Sequence, residues 1–113
     1  MGLLRRVDVL TDSSGNFTSE EVFRGTVEAI EVKIGTLSTP DIDITDGVYG
    51  TSLLSVNGVA ANTLYRPGIQ LQDDSGAGIA GAYASPPIFG TLKVVVTGAG
   101  NAKSGTIDLL FSR

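Results

Sequence analysis

Apolar and polar residues alternate along much of this chain with a period of two, the spacing of a β-strand whose one face is buried. In Leu3 to Thr11, Val7 and Val9 fall on one face and Arg6 and Asp8 on the other, and the dense turn cluster Asp12-Ser13-Ser14-Gly15-Asn16 ends the run. Phe17 to Phe23 reads as a second short strand, although Glu20 and Glu21 side by side before Val22 would also suit a helical turn. Thr26 to Ile34 shows the clearest alternation of the first half, with Ile30, Val32 and Ile34 inward and Glu31 and Lys33 outward. Asp41 to Thr45 repeats it through Ile42 and Ile44 and closes at Asp46-Gly47, a favoured hairpin dipeptide. Ser52 to Val59, broken by Asn57-Gly58, and Thr63 to Arg66, stopped by Pro67, read as further strands.

Gly68 to Gly90 has no sustained period and is expected to be one long loop. Ile69, Leu71, Ile79, Tyr83, Ile88 and Phe89 give it apolar anchors that a solvated linker lacks, and Pro86-Pro87 stiffens its exit. The clearest signal lies at the C-terminal end. Leu92, Val94 and Val96 alternate with Lys93, Val95 and Thr97, Gly98 to Gly105 breaks the pattern, and Ile107, Leu109 and Phe111 resume it, which predicts a β-hairpin. Seven or so short strands separated by turn signals, without a long amphipathic helix, predict an all-β chain: a small antiparallel β-sandwich or barrel-like domain.

Composition narrows this further. At 113 residues there is room for one core, so residues 1–113 read as a single β domain with residues 1–6 as an N-terminal arm. With 42% hydrophobic and 18% charged residues the chain is apolar for its size, and a partner is expected to cover part of its surface. There is no cysteine, hence no disulfide framework or thiolate metal site. The net charge of −4 and eight scattered Lys and Arg argue against a nucleic-acid surface. No apolar run is long enough for a membrane-spanning helix, and MGLLRR does not read as a signal peptide, so a cytosolically made product is expected.

Catalytic and metal patterns fare poorly. Without histidine or cysteine the commonest general base and the thiol nucleophile are missing, and no enzyme is expected. DIDITDG has the outline of a calcium loop, but Thr45 stands at its fifth position, Asp46 at its sixth and Gly47 at its seventh; Asp41, Asp43 and Asp46 read as a solvated strand face and turn. Asp73-Asp74-Ser75-Gly76 is an ordinary turn signature. GAGNAKSG ends like a phosphate loop, yet Thr97 and Ala102 occupy its two glycine positions and a strand follows where a helix belongs. No cofactor is expected.

The order of features is more informative than any one of them. LLRRVDVLTDSSGNF, VEAIEVKIGTL with its ITDG turn, SLLSVNGVAANTLYRP and the closing LKVVVTGAGNAKSGTIDLLF resemble a group of small virion proteins of tailed bacteriophages. That resemblance implies a structural role on the capsid surface, as a head decoration (cement) protein bound over joints between copies of the major capsid protein. It also implies self-association, as a trimer. The expected contact elements are the arm, with Leu3, Leu4, Arg5 and Arg6, and the 68–90 loop, with Arg66 at its entrance. Two alternatives are a neck or tail accessory of the same particle, and a ligand- or carbohydrate-binding β-sandwich module, for which exposed tryptophan or paired tyrosines would be expected.

Overall fold

The computed structural model describes residues 3–22, 25–48, 50, 52–67, 69–72, 75, 78–84, 87–88 and 90–112, and for residues 3, 69–72, 78–84, 87 and 112 it describes the backbone alone. The strands are β1 (Leu3–Leu10), β2 (Phe17–Val22), β3 (Gly25–Lys33), β4 (Asp41–Asp46), β5 (Ser52–Val56), β6 (Thr63–Tyr65), β7 (Ile69–Gln72), β8 (Gly78–Ala84), β9 (Pro87–Ile88), β10 (Thr91–Thr97) and β11 (Ser104–Ser112). All ladders are antiparallel. The first sheet runs β1-β11-β3, and β6 and β9 pair with opposite ends of β3 at its far edge. The second runs β2-β10-β4-β5. The chain is thus the all-β antiparallel sandwich that the alternation predicts.

The inward positions of both sheets meet in one core. Val7, Val9, Val27, Ile30, Val32, Ile107, Leu109 and Phe111 come from the first sheet, and Ile42, Ile44, Leu54, Leu92, Val94 and Val96 from the second. Two bulges adjust the strict period. Val27 and Ile30, three apart, would point to opposite faces of a regular strand, yet both are fully buried, because β3 carries an extra residue opposite Leu110 and Phe111. The same device between Ile44 and Thr45 lets the adjacent Leu53 and Leu54 of β5 both be buried.

Three expectations are corrected. The C-terminal strands both form, but they are not a hairpin: β10 pairs with β2 and β4, whereas β11 pairs with β1 and β3. Their apolar faces oppose each other across the core, and residues 98–103 arch from sheet to sheet. That arch is held by the first turn. Thr11 Oγ1 donates to Gly100 O at 2.6 Å and accepts from Lys103 N at 2.8 Å, and Ala99 N donates to Gly15 O at 3.1 Å. Gly15 has φ +81°, and a Cβ there would stand 2.9 Å from Gly100 N, so this close approach requires glycine.

The long loop is also reassigned, since residues 68–90 contain β7, β8 and β9, the first two forming a separate two-stranded sheet. Finally, residues 3–6 of the expected arm are ladder residues, with Leu3 opposite Phe111 and Arg6 opposite Asp108. The molecule measures 47 × 26 × 24 Å, longer than the roughly 30 Å spanned by its nine-residue strands.

Candidate functional site

The inward faces are consumed by the core, which leaves the outer sheet faces, the strand edges and the β7–β8 hairpin to meet a partner. On the outer face of the first sheet, ladder register sets residues in rows. Leu4, Leu110 and Ala29 form one row; Arg6, Asp108, Glu31 and Leu64 form the next. Leu4, Ala29, Leu64 and Leu110 make the apolar floor of a shallow depression, with Glu31, Arg66 and Asp108 at its margin. Leu4 and Leu64 are 57% and 52% exposed, so the depression presents greasy surface to solvent.

Asp108 is the unusual residue of this face. It points outward yet is only 4% exposed, because two cations fold over it. Arg6 donates through Nε at 2.8 Å and through a terminal nitrogen at 3.2 Å, and Lys33 Nζ lies 3.2 Å from Oδ2. Lys33 also approaches Glu31 at 3.6 Å. The Arg6 hydrogen bond, opposed by burial and helped by Lys33, holds the Asp108 carboxyl below its ordinary range; the same hydrogen bond raises the Arg6 guanidinium. The Arg6–Asp108 pair is thereby favoured in its ionised form, and with Lys33 it joins β1, β11 and β3 side to side.

The expected contact residues are divided by the structure. Leu4 and Arg66 lie at the depression, whereas Arg6 is committed to Asp108 and Arg5 is exposed on β1. Ile69, Leu71, Ile79 and Tyr83 are in the hairpin, with Gln70 opposite Tyr83 and Ile69 opposite Ala84. Ile88 is a correction: at 2% exposure, in β9 against Gly25 of β3, it is a core residue and offers no surface. Leu3 is a β1 residue whose backbone alone is described, and Phe89 lies outside the described residues.

The carboxylates of β4 do not converge. Asp43 accepts from Ser55 Oγ at 2.6 Å and Asp41 from Gly58 N at 2.8 Å, while Asp46, on the other face of the strand, is buried and accepts from Val48 N at 2.7 Å. Among the described residues no three of His, Cys, Asp and Glu gather as a metal site would require. The Lys103-Ser104 pair ends the arch and enters β11, with Ser104 tied to Thr36, so its amides serve the fold. Comparison with known protein families, with curated proteins and with solved structures finds no match to this chain.

Asp108, Glu31, Leu64 and Leu110 were not singled out by sequence reasoning. Asp108 is the one charged residue of β11, which marks it as outward, but its two cations sit on other strands and no sequence spacing links them.

Proposed function

We propose that this chain is a non-enzymatic virion structural protein, a decoration (cement) protein that binds over joints of the major capsid protein and stabilises the head. The virion assignment rests on the resemblance of its ordered motifs. The contact role is supported chiefly by one structural observation: among the described residues, the β7–β8 hairpin is a two-stranded sheet that pairs with neither sheet of the sandwich. An isolated hairpin of this kind is marginally stable in water, and a third strand or a packing surface is what normally secures it. A neighbouring shell subunit provides such a surface. The depression floored by Leu4, Ala29, Leu64 and Leu110 lies at β6, the strand that precedes the hairpin in the chain, and offers a second contact area.

The test is add-back to particles of the phage whose genome encodes the chain, stripped of it beforehand. Recombinant protein is expected to rebind to saturation and to raise the temperature at which the heads lose their contents. A chain with Ile79 and Tyr83 replaced by serine is expected to remain folded and fail to rebind; undiminished rebinding contradicts the hairpin's role.

A further inference from the structure

Sheet edges are templates for pairing, and folded proteins protect them by shortness, bulges or repulsive charge. Among the described residues, most edges here carry such a guard. β6 and β9 are three and two residues long. β5 is bulged at Leu53. β2 places Glu20 beside Glu21, so a second copy pairing there brings like charges together. β1 is the longest of the edges and its charges, Arg5, Arg6 and Asp8, are of mixed sign: it is eight residues long, without proline, glycine or a bulge, and its ladder to β11 runs unbroken from Leu3 to Leu10. Among the described residues β1 pairs with β11 alone, and the amide groups along its other side point away from that ladder.

Its outward residues read, in order, Leu4, Arg6, Asp8 and Leu10, a series that complements itself when reversed. Leu4 and Leu10 are 57% and 66% exposed, and Asp8 forms no hydrogen bond or ion pair among the described residues. We infer that β1 is a self-association edge, which pairs antiparallel with β1 of a second copy about a two-fold axis through Val7 and joins two first sheets into one.

In that register Leu4 faces Leu10 of the second copy, Arg6 faces its Asp8, and Arg5 faces its Val9, each contact occurring twice. Neighbouring registers are worse. An axis through Arg6 sets arginine against arginine and leucine against aspartate; an axis through Asp8 sets aspartate against aspartate. An axis between two residues aligns outward positions with inward ones, which the burial of Val7 and Val9 forbids. Charges on an edge can also act as guards, but guards of one sign repel a second copy in every register. Arg6 and Asp8 are of opposite sign. Arg6 keeps donors to spare, because its bond to Asp108 uses Nε and one terminal nitrogen.

This inference is independent of the virion reading, and it differs from the trimer that the resemblance implies. The purified full chain is weighed by sedimentation equilibrium from micromolar to near-millimolar concentration. The expected result is a monomer–dimer equilibrium of the 11.6 kDa chain. D8R opposes arginines across the axis twice and is expected to raise the dissociation constant about 30-fold. The natural chain has no cysteine, so L4C/L10C gives a separate check on register. Opposite residues of an antiparallel pair lie about 5 Å apart, within disulfide reach, whereas positions 4 and 10 of one chain are about 20 Å apart. The double variant is expected to cross-link into a dimer on mild oxidation, and L4C or L10C alone is not. A monomer at every concentration, an oligomer whose mass is unchanged by D8R, or efficient cross-linking by L4C alone overturns the inference.

Discussion

Gly15 and Asp108 show how single residues hold the fold in place, one where the 98–103 arch crosses between sheets and the other across three strands of the first sheet. Gly15 combines a left-handed backbone with a van der Waals approach to the 98–103 arch, so G15A is expected to destabilise the fold by about 1–2 kcal/mol and lower the melting temperature by several degrees. An unchanged melting curve would show that the arch can yield. Leu109, fully buried between the sheets, is expected to cost about 2–5 kcal/mol on truncation to alanine, measured by urea unfolding. Asp108 carries a pH dependence of definite sign. Its carboxyl is held below the ordinary value, so its ionised form favours the folded state; that contribution is complete above about pH 4 and is lost as pH falls through the folded value. Arg6 and Lys33 remain half in water, so the effect is a shoulder in the acid unfolding profile that added salt reduces. D108N is expected to remove the shoulder, and an unaltered acid profile in D108N contradicts this role.

The elements show where the alternation of the sequence was sufficient and where it was not. β1, β3, β4, β10 and β11 carry β-branched and leucine residues at period two, and their existence and inward faces were legible because each buries one face in the core. Pairing was not legible in the same way. Glycine and polar residues between two strands suit a hairpin and an inter-sheet arch alike, and what separates them here is long-range: the ladders of β10 and β11 with different partners, and the docking of Thr11, Gly15 and Ser38 on residues 98–103. β7 and β8 were hidden for another reason. Gly78, Ala80, Gly81, Ala82 and Ala84 have low strand propensity, so the GIAGAYA run shows no clear period although its backbone forms a ladder with β7. Of the contact residues expected from sequence, Ile88 was lost to the core because apolar character alone does not separate an anchor for a partner from one for the chain itself. Serine replacements at Ile69, Leu71, Ile79 and Tyr83 together are expected to leave the melting temperature of the sandwich within a few degrees of the natural chain, because the hairpin ladder is separate from both sheets. A large loss of stability would mean that the hairpin is a structural part of the sandwich.

At the scale of the whole molecule, a closed sandwich core supports three surfaces that remain for other chains: the hairpin, the depression beside β6 and the open edge of β1. Most strand connections cross between sheets, and β1 lies beside β11, so strands far apart in the sequence meet in one ladder. The ladders of the first sheet thereby join distant parts of the sequence, and the sandwich serves as the platform for those surfaces. Decoration of a phage head is the role proposed for this platform. Its most direct test is the copy number of the chain per purified particle, measured by quantitative mass spectrometry against the major shell protein. The expected number is comparable to that of the shell protein. A handful of copies would place the chain at the neck or tail, and absence from the particle would contradict a virion role altogether.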